Sequence, residues 1–112
     1  MSSVSPQSGN NNNIKPWNEV WLCKTLLHDI MRDPNAKAFL WPVDWEGLNL
    51  PSYPKVIKRP MDLNTVLSKL EKGCYKSSGE IDQDVSLIWS NAMIFNRDGS
   101  EYFVAAKRMN SI

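Results

Sequence analysis

Between Ala36 and Pro60 the chain carries Pro42, Pro51, Pro54 and Pro60 together with Gly47, which forbids a long regular element across that stretch. The same stretch is apolar, with Phe39, Leu40, Trp41, Val43, Trp45, Leu48, Leu50, Tyr53, Val56 and Ile57. Loops this long are uncommon in compact domains and are usually functional or disordered. Disorder goes with low hydrophobicity, which is not the case here. The expectation is an ordered, proline-stiffened loop that forms a pre-built wall of a binding site.

The flanking sequence is helical. Pro16 or Trp17 opens a first helix, since proline suits a first turn. Val20, Cys23, Leu27 and Ile30 recur at helical spacing, joined by Leu26 and Met31. Asp33-Pro34-Asn35 ends that helix. Asp62 caps a second helix with Leu63, Val66, Leu67 and Leu70 on one face, and Gly73 closes it. Ser77 with Glu80 has the form of a capping box opening a third helix. Ile81, Val85, Ile88 and Trp89 mark its buried face as it runs to about Phe95. Asn96-Arg97-Asp98-Gly99 is a turn, and Ser100 caps a fourth helix carrying Tyr102, Phe103, Ala106 and Met109. The fold class is therefore all-α: four helices with one long loop between the first and second. Residues 1–15, polar and holding the run Asn10 to Asn13, are expected to be a disordered lead-in; the folded domain is expected over 16–112.

Several function classes have little support. Thirteen basic against twelve acidic residues leave a formal charge of +1, without the basic excess of a module held by phosphate contacts. No apolar run is long enough to span a membrane, and Met1-Ser2-Ser3-Val4 does not start a secretory signal. Cys23 and Cys74 match no zinc spacing and are expected to be reduced, buried core thiols. His28, the single histidine, lies mid-helix, where a structural or solvent-exposed role is expected. No nucleophile elbow, phosphate loop or metalloprotease motif is present, so neither catalysis nor a metal or cofactor is expected.

From Phe39 to Ile112 the chain resembles the bromodomain family. Pro42-Val43-Asp44, Leu48-Asn49-Leu50-Pro51-Ser52-Tyr53 and Val56-Ile57-Lys58-Arg59-Pro60-Met61-Asp62-Leu63 are similar to that family's loop between its first two helices. Asn91-Ala92-Met93-Ile94-Phe95-Asn96 is similar to the end of its third helix, where an N-x-x-x-(Y/F)-N pattern recurs. The first helix fits by pattern only. Pro54 stands where the family commonly has a second aromatic, and Ala38-Phe39-Leu40-Trp41 precedes Pro42 in place of the frequent Trp-Pro-Phe. The fourth helix, ending at Ile112, is short for the family, so the chain is expected to be a piece of a larger chromatin-associated protein.

The resemblance implies a left-handed four-helix bundle with an acetyl-lysine pocket at one end. By motif position, Asn96 would donate its amide to the acetyl carbonyl, and Tyr53 would hold that oxygen through a water. Val43, Leu48 and Leu50 would line one wall, with Pro42 and Phe39 as the shelf. Ala92 and Phe95 would lie near the floor, and Tyr102 would be the gatekeeper. The implied partners are acetylated histone tails or other acetyl-lysine proteins, read in the nucleus by a module that is monomeric in isolation and contacts neither nucleic acid nor membrane directly. A competing reading is a helical protein–protein scaffold whose loop packs on a partner without acetyl-lysine recognition. Charge placement adds one expectation. Asp44, Glu46, Asp98 and Glu101, against Arg97, would give an acidic rim if Lys37, Lys55, Lys58 and Arg59 point away.

Overall fold

Local capping chemistry sets most helix ends in the computed structural model, which describes residues 16–111, with side chains from residue 20 onward. The expectation for residues 1–15 and the position of Ile112 lie outside the described residues. Helix α1 spans Pro16–Arg32, and a 3-10 helix follows over Pro34–Phe39. Asp33 caps that 3-10 turn by accepting from the Asn35 N–H at 2.8 Å. The long loop contains a single short helix, α2, Tyr53–Val56. Helices α3, Leu63–Glu71, α4, Ser78–Phe95, and α5, Glu101–Asn110, complete the order. The four expected helices are α1, α3, α4 and α5, and no strand occurs among the described residues.

At the start of α3, Asp62 accepts from the Thr65 N–H at 2.9 Å and from its hydroxyl at 2.6 Å. At its end, Gly73 takes φ 74°. The Cys74 N–H bonds the Lys69 carbonyl and the Gly73 N–H bonds that of Leu70, a Schellman closure that needs this left-handed residue. Ser100 caps α5 through the Phe103 N–H. The start of α4 departs from the expected box. Ser77 does accept from the Glu80 N–H, but Glu80 Oε1 accepts from the Lys76 N–H at 2.7 Å, one residue before the cap.

Leu27 of α1, Ala36 and Phe39 of the 3-10 helix, Leu63, Val66 and Leu70 of α3, Ile88, Trp89 and Ala92 of α4, and Ala106 and Met109 of α5 form one core. Phe39 and Trp89 meet edge to face, 5.3 Å between centroids at 82°. Three expectations fail here. Val20 and Leu26 are exposed, because α1 packs against α3 and the 3-10 helix on one flank only. Cys74 is exposed and Cys23 only half-buried, so neither is a buried core thiol. Cys74 is carried outward by the closure after α3.

One buried charge locks α3 to α4. Asp84 accepts from Lys69 Nζ at 2.7 Å and from the Tyr75 hydroxyl at 2.6 Å, and Lys69 Nζ sits 4.8 Å from the Tyr75 ring centroid. Burial works against the Asp84 carboxylate, but the bonds from Lys69 and Tyr75 and the charges of Lys69 and Arg59 outweigh it and hold the carboxyl below its usual range. Burial, then the bond to Asp84, raises the Tyr75 phenol. A lowered folded-state value stabilises the fold above the unfolded pKa of about 3.9, and that contribution is lost as pH falls through the folded value. Asp84→Asn is therefore expected to cost about 1–3 kcal/mol at pH 7, and the gap from wild type should close on acidification below about pH 4. Urea unfolding of both proteins from pH 7 to pH 2.5 checks this; a gap that does not change with pH removes the carboxylate from the account.

Candidate functional site

Two amides pin the apolar loop to the bundle. The backbone N–H and side-chain amide of Asn64, near the start of α3, donate to the Leu40 carbonyl at 3.0 and 2.6 Å. Asn91, buried on α4, donates from Nδ2 to the Arg59 carbonyl at 2.8 Å. Between these anchors the loop folds on itself. Leu50 N–H bonds the Trp45 carbonyl, and Leu48 N–H bonds that of Asp44. The Asp44 carboxylate accepts from the Gly47 N–H at 3.0 Å and lies so close that a Cβ on residue 47 would sit 2.1 Å from its oxygen. A side chain at residue 47 would force the exposed Asp44 carboxylate to swing aside.

The loop, the 3-10 helix and the ends of α4 and α5 enclose a cavity of about 470 Å³. It brings together every residue expected at the site: Phe39, Pro42, Val43, Leu48, Leu50, Tyr53, Ala92, Phe95, Asn96 and Tyr102. Sequence reasoning missed Lys37, Ala38, Trp41, Met61, Ile88 and Asn91, which also line it together with Asp44, expected at the rim. Ile88 carried a signal: it lies four and seven residues before Ala92 and Phe95, on the same helical face. Lys37 was expected to point away from the rim, and nothing in the sequence placed Met61 at the cavity. The shelf divides differently from the expectation. Phe39 is 8% exposed and belongs to the core, so it backs the cavity, whereas Trp41, 67% exposed, is the aromatic standing out beside Pro42. Trp41, Val43, Leu48 and Tyr102 form an exposed apolar rim, the kind of patch that marks an interaction site.

The lining is mostly apolar, and three side chains supply its buried or half-buried polar groups. The Asn91 amide nitrogen, buried on α4, donates to the Arg59 carbonyl. Asn96, the C-cap of α4, donates from Nδ2 to the Ala92 carbonyl at 2.9 Å, which leaves its second amide hydrogen available. Tyr53 is 7% exposed and packs edge-on to Phe95, 4.8 Å between centroids. Its hydroxyl has no hydrogen-bond partner among the described residues. Burial pushes its pKa up, so the phenol is neutral at physiological pH and can both donate and accept. The charged groups lining the cavity, Lys37 and Asp44, are exposed. Lys37 thus borders the cavity rather than pointing away, and of the four expected rim acids only Asp44 lines it.

A helical bundle with a largely apolar end cavity, a neutral amide donor and an unpaired buried phenol has the architecture of a domain with a small-ligand-sized pocket. The sequence model of the Bromodomain family matches residues 23–108. The chain belongs to the bromodomain family. It is 41% identical over 81 residues to "Transcription factor GTE5, chloroplastic" of Arabidopsis thaliana, covering 72% of this chain and 17% of that protein. To "Bromodomain-containing factor 1" of Candida albicans it is 31% identical over 97 residues, covering 84% of this chain and 13% of that one. The chain therefore spans less than a fifth of the length of either relative. Among solved structures it is similar to the second bromodomain of Candida albicans Bdf1 bound to an imidazopyridine, with TM-score 0.77 and 31% identity over 84% of this chain and 92% of that one. The fold is thus the family's left-handed four-helix bundle.

Proposed function

We propose that the cavity binds acetylated lysine on histone tails or other chromatin proteins, and that the chain is a non-catalytic reader acting in the nucleus. The observation that carries this reading is the pairing of Asn96, a neutral donor with a spare hydrogen, with the unpartnered hydroxyl of buried Tyr53, in a cavity otherwise lined mainly by carbon. Acetylation replaces an ammonium with a neutral amide on an apolar stem. In the cavity, Asn96 donates to the acetyl oxygen, and Tyr53 reaches the same oxygen through a water. Val43, Leu48 and Leu50 flank the stem, and Ala92, Phe95 and Phe39 close the base. A charged lysine would lose its hydration there and find no buried carboxylate. The name "transcription factor" carried by the Arabidopsis relative and the small organic ligand in the Candida structure support a chromatin reader with a ligand pocket.

Calorimetry with matched acetylated and unmodified lysine peptides tests the reading. The acetylated peptide is expected to bind roughly 100-fold or more tightly, because the unmodified one must desolvate a charge. Equal affinities would leave a scaffold without acetyl-lysine recognition. Tyr102 gives a second check. Its half-exposed ring stands at the cavity edge at the start of α5. Tyr102→Ala is expected to move selectivity from acetyl toward the bulkier butyryl group by roughly 5-fold or more, the effect of about 1 kcal/mol of relieved crowding. An unmoved acetyl-to-butyryl ratio would remove Tyr102 from the entrance.

A further inference from the structure

A second cleft, of about 690 Å³, adjoins the cavity. The two share Lys37, Ala38 and Tyr102, so the cleft continues directly from the cavity's edge. Besides Lys37, its charged side chains are Arg108 and Glu101, both on α5. Two cations thus face one carboxylate. All three are exposed, and among the described residues neither Lys37 nor Arg108 has an ion-pair partner. The cavity lining adds the other sign away from the cleft, since Asp44 borders the cavity and not the cleft, with Glu46 two residues further along the loop. The entrance is therefore polarised rather than uniformly acidic.

We propose that this cleft receives an acidic side chain from the same peptide whose acetyl-lysine fills the cavity. The inference rests on the acetyl-lysine reading and adds a flank preference to it. An extended peptide advances about 3.3–3.6 Å per residue, so a residue one to three positions from the acetyl-lysine can pass Tyr102 and Ala38 and reach the cleft. There a carboxylate meets Lys37 and Arg108, which lack internal partners to release. Because these cations are exposed, the gain is modest and falls with salt. Its larger effect is on direction, since a peptide with an acid on one flank and a base on the other fits the polarised entrance in one orientation only.

Calorimetry decides the matter, using acetyl-lysine peptides with Glu, Ala, Lys or phosphoserine at each of the three positions on either side, and free N-acetyl-lysine methylamide as the probe of the cavity alone. At one flank position Glu is expected to bind roughly 2- to 10-fold more tightly than Ala at low salt, with the advantage shrinking at 0.5 M salt. Arg108 lines the cleft and not the cavity. Arg108→Glu should therefore reverse the preference toward Lys and leave the probe's affinity unchanged. If that variant fails to fold by circular dichroism, Arg108→Gln must at least reduce the Glu advantage. Flank-independent affinity with the probe still bound, or a preference that survives both variants, overturns this inference alone. A gain for phosphoserine without one for Glu overturns the carboxylate assignment. Failure of every peptide and of the probe overturns the acetyl-lysine reading and this inference with it.

Discussion

Replacing Asn96 with Ala is expected to weaken acetyl-lysine peptide binding by roughly 5- to 150-fold while leaving the protein folded. The magnitude follows from losing a hydrogen bond in a mostly apolar site, about 1–3 kcal/mol. The structure also explains why the fold should tolerate the change. Asn96 Nδ2 bonds the Ala92 carbonyl, but that oxygen also accepts from the Asn96 backbone N–H at 3.0 Å. Removing the side chain therefore leaves the last turn of α4 with a partner for its carbonyl. Calorimetry and a thermal melt on the same sample separate the two effects. Unchanged affinity in a folded variant would sink the assignment of Asn96 as donor. A melting transition lost together with binding would mean that Asn96 acts chiefly as a helix cap.

The second large effect concerns the floor of the cavity. Trp89→Ala is expected to destabilise the fold by about 3–5 kcal/mol, the usual cost of deleting a buried Trp or Phe side chain. Trp89 is 3% exposed and holds Phe39 edge-on, and Phe39 in turn lines the cavity. A domain of this size has about 5–15 kcal/mol of stability in total, so the variant should be marginal. Urea unfolding at pH 7 measures it. Trp89→Phe retains a ring against Phe39 and should lose less than half as much. A loss below about 1 kcal/mol in the Ala variant would show that the Phe39–Trp89 contact does not hold the core together.

The helix ends were legible because their chemistry is local. Asp62, Ser100 and Gly73 act within a turn of their own position, and each does so in the structure as its residue type dictates. The near miss at Ser77 has the same origin: Glu80 accepts a backbone N–H as expected, but from the neighbouring residue, a choice made by the path of the chain entering α4. Cysteine burial and the apolar positions of α1 were misjudged because periodicity says that a helix has an apolar face, not how much of that face a neighbour covers. In α1 the covered flank holds Leu27 and leaves Val20, Leu26 and Trp21 in solvent.

By itself the sequence determined that the chain is helical, roughly where its four long helices begin and end, and that a stiff apolar loop lies between the first two of them; the 3-10 helix and α2 were not legible in it. It also marked which residue types would meet at the site, through motifs spread from Pro42 to Asn96. The placement of those residues around one cavity was decided only by tertiary contacts. The Asn91 bond to Arg59 spans 32 residues and the Asn64 bond to Leu40 spans 24, and neither has a local signature. The same holds for Lys37, whose position between the cavity and the adjoining cleft follows from how the 3-10 helix packs on α5. Capping and turn formation depend on a few consecutive dihedral angles, whereas the direction in which a loop side chain faces depends on which distant surface closes over it.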